Sequence, residues 1–167
     1  MKIALCDEIR TGRDPDGPAM AHLIATIFAE YPDCPFVPAE FPELSAPASH
    51  YQSRGGQLWV ATDNGALIGS LAVFETHEKG VFALAKVYVA MAARRSGIAA
   101  LLLEKAETFA AAQGGRILTL WSDTRFTAGH AFYRRQGFQQ EAGVKQLHDV
   151  AQSVEFRFSR PIRAARR

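Results

Sequence analysis

The sequence predicts an α/β (α+β) fold in which helices cover both faces of a mixed central β-sheet. Three observations lead to this prediction. Segments with strand character alternate along the chain with segments of helical periodicity. Residues 82–121 have the order strand, helix, strand, which favours parallel pairing through a right-handed crossover. Asn64-Gly65 separates two apolar runs and is typical of an antiparallel hairpin, so the sheet should contain both kinds of pairing.

The first half of the chain begins with a predicted strand at residues 2–6. Apolar residues at helical spacing predict a helix at residues 19–30. Five prolines between residues 31 and 56 exclude a long regular helix and predict loops with short helical pieces. The two strands of the hairpin are predicted at residues 57–62 and 67–74.

The second half contains the most regular pattern. Residues 82–89 are apolar enough for a strand that is buried on both faces. A helix is predicted from residue 96 to residue 113, where two glycines follow, and a strand at residues 116–121. Thr127 is expected to cap a helix that stops at Gly137. The clearest closing strand is at residues 153–158.

Length and composition indicate one folded domain, residues 1–167, because no repeat or linker divides the chain. Hydrophobic residues make up 48% and charged residues 22%, which is ordinary for a folded protein. A net charge of +2 gives no support for nucleic-acid binding. Two cysteines are too few for a disulfide framework, and no apolar run is long enough to cross a bilayer. We therefore expect a cytoplasmic protein that does not bind membranes.

One turn carries recognisable chemistry. Arg94-Arg95-Ser96-Gly97 follows a buried strand and opens directly into a helix. The first turn of a helix offers unpaired backbone N–H groups and the positive end of the helix dipole, which together bind anions. Gly97 has no side chain to block a phosphate, Ala99 is nearly as permissive, and the two arginines add positive charge. The pattern predicts a pyrophosphate-binding turn.

Two motifs resemble one known family. Arg94-x-x-Gly97-x-Ala99 after a buried strand resembles the coenzyme A signature of the GNAT N-acetyltransferase superfamily. The run AFYRRQGF at residues 131–138 is similar to the tyrosine helix and the Gly-Phe pair of the same enzymes. One helix and one strand separate the motifs, and the resemblance covers roughly residues 57–140. It implies the GNAT acyl-CoA N-acyltransferase fold, with acetyl-CoA as cosubstrate and no metal.

The resemblance also implies site residues. The coenzyme A set is Val87, Tyr88, Val89, Arg94, Arg95, Ser96, Gly97, Ile98, Ala99 and Ala100. Tyr133 matches the tyrosine that protonates the departing thiolate. That role is chemically reasonable, because a phenol with a pKa of ~10 is protonated at neutral pH and can donate to a thiolate whose thiol pKa is ~8.5.

The chain departs from the family pattern in two places. Phe126 stands where many members have an asparagine, so any ligand contact by that side chain is lost. The strand at residues 82–89 contains no carboxylate that could act as general base. Glu75 and Asp123 are the nearest candidates by topology, and Trp121 could line the acceptor pocket or simply pack. The five histidines show no metal-ligand spacing.

Two functions stay open at this point. The first is an N-acetyltransferase in which a primary amine, on a small molecule or a peptide, attacks acetyl-CoA directly while Tyr133 acts as general acid. The second is a non-catalytic module of the same fold that binds or senses acyl-CoA. The sequence leaves open the identity of the amine, the general base, the role of residues 31–56 and whether the chain forms a homodimer. It lacks the P-loop and dinucleotide motifs, which disfavours ATP and NAD.

Overall fold

The structure, a computed structural model, describes residues 6–163. Four α-helices within this range are α1 Gly17–Phe28, α2 Pro47–Gln52, α3 Ile98–Ala112 and α4 Thr127–Arg135. Its eight strands are β1 Glu8–Thr11, β2 Gln57–Asp63, β3 Ala66–Glu75, β4 Val81–Val89, β5 Ile117–Asp123, β6 Gln139–Gln140, β7 Lys145–Gln146 and β8 Val154–Pro161.

All eight strands join one mixed sheet in the order β1-β2-β3-β4-β5-β8-β6, with β7 pairing beside β6 on β8. β4 and β5 form the parallel pair, from Val81 opposite Ile117 to Leu84 opposite Leu120. The other pairings between described strands are antiparallel. The parallel pairing through α3 and the mixed sheet, both predicted from the sequence, are confirmed.

Helices cover both faces of the sheet, as the sequence predicts. Alternate residues of β2 belong to different cores, because successive side chains of a strand point to opposite faces. Trp59 packs in the core that contains Leu102 of α3. Leu58 and Val60 pack in the second core, which contains Met20 of α1. The sheet therefore has α1 and α2 on one face and α3 and α4 on the other.

Several element boundaries differ from the sequence-based predictions. Residues 2–5 of the predicted first strand lie outside the described residues, and the first described strand is β1. Thr127 does not cap α4: the cap is Phe126, whose carbonyl accepts the first helical bond, from His130. α3 begins at Ile98 because Gly97 adopts φ 88°, which a helix excludes. Residues 31–56 contain two 3₁₀ turns and α2, as the prolines predict.

One ion pair attaches β8 to α3 and should make stability depend on pH. Arg160 is buried and donates through Nη1 and Nη2 to the carboxylate of Glu107, the second bond being 3.2 Å. The backbone N–H of Arg163 also donates to Glu107, at 2.9 Å. Desolvation raises the pKa of Glu107, but these bonds outweigh it and hold that pKa below its usual value.

We expect Glu107→Gln to lower the free energy of unfolding at pH 7 by ~1–3 kcal/mol, because it leaves the buried guanidinium without its charged partner. A depressed carboxyl pKa adds stability above the unfolded-state pKa, and this is lost as pH falls through the folded-state pKa. The difference between parent and variant should therefore shrink in acid. Urea unfolding at pH 7 and near pH 3 measures it. Glu104→Gln, at an exposed position of α3, is the control, and an equal loss in both variants would contradict the prediction.

Candidate active site

The site begins where β4 and β5 separate. Their pairing stops at Leu84 and Leu120, although β4 continues to Val89. β4 also bulges, because the stretch from Ala85 to Tyr88 has one residue more than the facing stretch of β3. Lys86, in the bulge, has φ 54°, and its carbonyl accepts a 2.7 Å bond from the Ser70 hydroxyl. The end of β4 therefore turns away from β5 and leaves a gap between the two strands.

The turn after β4 has the geometry of an anion site. Arg95 and Gly97 both adopt left-handed conformations, with φ 61° and 88°. No side chain caps the N-terminus of α3, and no acidic residue occupies its first turn. A Cβ added to Gly97 would meet nothing within 4 Å, so the space before these N–H groups is open. The turn is therefore free to bind an anion such as a phosphate.

The gap and this turn open into one cavity of about 450 Å³, here called the turn cleft. Nine of the ten residues predicted for coenzyme A line it, and α4 supplies the opposite wall. Ser96 is the exception. Its hydroxyl donates to the Ala93 carbonyl within the turn, which leaves the Ser96 backbone N–H as its donor to an anionic ligand.

The two arginines of the turn differ in their surroundings. Arg94 donates to both oxygens of Glu30, at 2.6 and 2.7 Å, and to the Val89 carbonyl at 3.1 Å. It thereby ties the turn to the segment that follows α1, and its charge is neutralised. Arg95 is exposed and makes no ion pair within residues 6–163. Arg135 of α4 is also exposed and lines the same cleft. Arg95 and Arg135 are therefore the cations available to an anionic ligand.

A second cavity of about 580 Å³, here called the carboxylate cleft, meets the turn cleft in the gap between β4 and β5. Five carboxylates line it, together with one lysine and one arginine; they are Glu40, Glu43, Asp123, Asp149, Glu155, Lys86 and Arg125. The lining is therefore acidic and attracts cations. Aromatic side chains form another part of its wall: Phe28, Phe41, Phe74, Tyr88, Trp121 and Phe126.

Two tyrosines stand where the clefts meet. Tyr88 and Tyr133 line both cavities. Tyr133 is buried, with the rings of Phe138 and Phe158 5.9 and 5.7 Å from its own. Burial raises the pKa of Tyr133. Burial also raises the pKa of Tyr88, and the neighbouring Tyr133 adds to the effect. Both phenols are therefore protonated at neutral pH and can donate a proton into the junction.

His130 fixes the helix that carries Tyr133. Its Nε2 lies 2.9 Å from the Asp123 carbonyl and 3.1 Å from the Ser122 hydroxyl, both at the end of β5. Burial lowers the pKa of His130, so the ring is neutral at pH 7. This contact joins α4 to β5 one helical turn before Tyr133. It holds the phenol at the edge of the gap.

Residues 22–138 match the Acetyltransferase (GNAT) family. The matched span covers more than half of the chain and contains β4, the anion-binding turn and Tyr133. The chain belongs to the GNAT acetyltransferase family. The family resemblance predicted from the two motifs is confirmed. Membership supports acyltransferase activity, and this family uses acyl-CoA.

Solved structures of GNAT acetyltransferases share this fold. A GNAT-family acetyltransferase from Staphylococcus aureus Mu50 superposes with a TM-score of 0.79 at 19% identity, covering 93% of this chain and 99% of that one. An acetyltransferase from Streptococcus agalactiae 2603 gives 0.72 at 24% identity, covering 90% and 96%. A ribosomal-protein-alanine N-acetyltransferase from Brucella melitensis gives 0.70 at 21% identity, covering 93% and 99%. The predicted fold class is confirmed.

Of the three residues suggested for the acceptor side of this GNAT protein, two line the carboxylate cleft. Trp121 is 40% exposed and lines this cleft, with Lys145 5.1 Å from its ring. Of the two alternatives for Trp121, a lining residue or a buried packing residue, the structure shows the first. Asp123 is held by three bonds from Arg125, at 2.6 to 2.9 Å. Desolvation raises the pKa of Asp123, but these bonds keep it below its usual value, so it is a weak base. Glu75 is exposed opposite Phe82, at the start of β4, and lines neither cleft.

Three functional candidates were absent from the sequence-based prediction. Arg135 shares a helix face with Ala128 and Phe132, and its spacing of three residues from Phe132 could have located it. Lys86 lies in the β4 bulge and pairs with Glu43 at 2.6 Å. No local sequence pattern predicts this contact. Glu155 lies on β8, which reaches the site only through its pairing with β5.

Within residues 6–163, no group of three or more histidine, cysteine, aspartate or glutamate side chains is arranged to hold a metal ion. None of the described helices has the length and apolar character needed to cross a membrane.

Proposed function

We propose that this protein transfers the acetyl group of acetyl-CoA to a primary amine, and that the amine attacks directly from the carboxylate cleft. One observation carries the proposal. Tyr133, a buried proton donor, stands where a cleft built for a phosphate-bearing ligand meets a cleft built for a cation. Direct transfer between two bound molecules requires such a junction.

The residues of the turn cleft suit coenzyme A. The open N–H groups at the start of α3, with Arg95 and Arg135 beside them, would hold the pyrophosphate. The unpaired edge of Val87–Val89 would bind the pantetheine arm by backbone hydrogen bonds. Acetyl-CoA supplies the thioester carbonyl that the amine attacks and the thiolate that departs.

Tyr133 would donate the proton that the departing thiolate needs. Its raised pKa keeps the phenol protonated at all physiological pH values. The same burial that weakens the phenol as an acid also raises the proton affinity of a thiolate formed beside it, so donation remains feasible. No protein nucleophile is required. Cys34 also lines the carboxylate cleft, but burial raises the pKa of its thiol and makes it a poor nucleophile.

The carboxylate cleft would receive the amine. Its acidic lining suits an ammonium group, and the aromatic wall suits an apolar body attached to that group. Arg125 donates to the Asp33 carbonyl, and the Val150 N–H donates to Glu40 at 3.2 Å, so loops from both halves of the chain meet over the cleft. We infer an acceptor that is a small molecule or the end of a peptide with a primary amine.

Acetyl-CoA should stabilise the fold. At ~100 times its dissociation constant it should add ~2.7 kcal/mol, which raises the melting temperature of a chain of this size by about 5–10 °C. Free coenzyme A should act similarly, whereas adenosine, which lacks the pyrophosphate, should have little effect. Differential scanning calorimetry measures the shift. No shift at millimolar acetyl-CoA would contradict the proposed use of the turn cleft.

The reaction is tested by following thiol release from acetyl-CoA in the presence of tyramine, spermidine, L-lysine and a short peptide with a free N-terminus. We expect acetylation of at least one amine, with the acetylated product identified by mass spectrometry. Thermal stabilisation by acetyl-CoA without acetylation of any amine would instead support the alternative, a module of the same fold that senses acyl-CoA.

A further inference from the structure

Glu155 differs from the other carboxylates that line the carboxylate cleft, because no described residue donates a hydrogen bond to its side chain. Glu155 lies on β8 directly opposite Asp123, at the end of β5 that has separated from β4. It lines the same cleft as Tyr88 and Tyr133. Within the part of the chain that the structure describes, its side chain makes no hydrogen bond and no ion pair. Its carboxylate therefore faces the cavity without a hydrogen-bond donor that fixes it.

The other carboxylates of the cleft are already engaged. Glu43 pairs with Lys86 at 2.6 Å, and Asp123 is held by Arg125. Asp149 accepts a 2.7 Å bond from the Ser153 backbone, and Glu40 accepts one from the Val150 backbone. Each of the four is thus held by a hydrogen-bond donor or an ion-pair partner, and for Asp123 and Asp149 these contacts outweigh desolvation and keep the pKa below its usual value. Glu155 is the member of the set that is free to take a proton.

Its surroundings also raise its proton affinity. Glu155 is half-buried, and burial is the largest cause that raises the pKa of its carboxyl above the usual value. The charged groups around it act in both directions: Asp123 and Asp149 raise this pKa, while Lys145 of β7 and Lys86 of β4 lower it. The raising causes prevail, so Glu155 is a stronger base than an exposed glutamate.

We propose that Glu155 is the general base of the reaction and takes a proton from the ammonium group of the acceptor, directly or through one water molecule. This inference rests on the proposed function and adds the residue that activates the amine. An amine with a pKa near that of lysine, ~10.4, is almost fully protonated at pH 7 and cannot attack until it loses a proton. The position of Glu155 beside the junction of the two clefts supplies that step.

Glu155 and Tyr133 together account for each proton that moves in the reaction. The ammonium gives one proton to Glu155, and the neutral nitrogen forms a C–N bond to the carbonyl carbon as the C–S bond breaks. The thiolate takes the Tyr133 proton, and the second proton lost by nitrogen returns to the Tyr133 oxygen. The proton on Glu155 passes to solvent. The sum converts an ammonium and a thioester into an amide, a thiol and one released proton.

Glu155→Gln tests the assignment, with kcat/KM measured from pH 5.5 to 10 on the amine of the panel that the parent acetylates fastest. At pH 7 we expect a loss of about 10²-fold, at the lower end of the range for acid–base catalysis. The loss should shrink towards pH 10, because a growing fraction of the amine is already neutral. The parent should lose activity as pH falls through the Glu155 pKa, and the variant should lack that limb.

The control is Glu141→Gln, which removes a carboxylate near the same sheet edge that lines neither cleft and pairs with Arg157. It should keep the parent's rate and pH profile. Glu155→Asp, which retains the charge, should recover part of the activity and replaces the glutamine variant if that one does not fold. Stabilisation of each variant by coenzyme A shows that the fold and the turn cleft are intact.

Two results separate the inference from the proposed function. If the parent acetylates an amine and Glu155→Gln matches it at pH 7, or is slower by the same factor at every pH, Glu155 is not the base and the function stands. If the parent acetylates none of the amines, the proposed function itself fails and the assignment of Glu155 fails with it.

Discussion

Replacing Gly97 with glutamate is expected to abolish stabilisation by coenzyme A and reduce acetyl transfer to background. Gly97 is exposed, and a Cβ built on it would meet nothing within 4 Å, so the new side chain would extend into the space proposed for the pyrophosphate. Its carboxylate would then lie against the phosphates, and like charges about 4 Å apart repel by ~4 kcal/mol at an effective dielectric constant of 20. That energy alone corresponds to roughly a thousandfold loss of affinity.

The control for this substitution is at the other end of the same helix. Gly114 is also exposed, also has a positive φ, of 82°, and also has nothing within 4 Å of an added Cβ. Gly114→Glu therefore carries the same backbone strain, ~1–2 kcal/mol, away from both clefts. Calorimetry should show loss of ligand stabilisation in Gly97→Glu alone. Parental coenzyme A affinity in a folded Gly97→Glu variant would place the cofactor elsewhere.

Local patterns were sufficient to predict most of the residues that line the turn cleft. The strand, the turn and the start of α3 are contiguous in sequence, so a run of about fifteen residues contains both the local structure and the groups that line the cleft. Tyr133 was predicted as a site residue because its helix and the Gly137-Phe138 pair form a second contiguous motif, and the structure places it where the two clefts meet. In each case the chemistry depends on backbone geometry that short-range sequence specifies.

The carboxylate cleft, which we propose as the acceptor half of the site, was not predictable in this way. The carboxylate cleft takes its walls from segments as far apart as Phe28 and Glu155. Which of its carboxylates is free to take a proton depends on ion pairs such as that between Asp123 and Arg125. The sequence does not distinguish this pair from the many others that its charged residues could form. For the same reason Arg94 was predicted from the motif as a phosphate ligand, whereas the structure shows it bound to Glu30, 64 positions earlier in the chain.

Tyr133→Phe is expected to slow acetyl transfer by ~10²–10⁴-fold, the range for loss of a general acid, while coenzyme A affinity stays within a few-fold of the parent. The substitution removes one hydroxyl and keeps the ring that packs against Phe138 and Phe158. The hydroxyl makes no hydrogen bond to the described residues, so the melting temperature should change little. Single-turnover rates at saturating acetyl-CoA are the appropriate measurement, because slow product release could hide part of the loss.

Tyr88→Phe and Tyr51→Phe test whether the loss of rate is specific to the Tyr133 phenol. Tyr88 lines the same junction, so this variant tests whether the second phenol can supply the proton. We expect a smaller loss than for Tyr133, because the contribution proposed for Tyr88 at the cofactor is that of its backbone. Tyr51 is buried against Leu58 and lines neither cleft, so Tyr51→Phe should keep the parental rate.

A parental single-turnover rate in Tyr133→Phe would remove this residue from the mechanism and leave the proposed coenzyme A site unaffected. A large loss in Tyr88→Phe with none in Tyr133→Phe would transfer the role of acid to Tyr88, since burial keeps both phenols protonated.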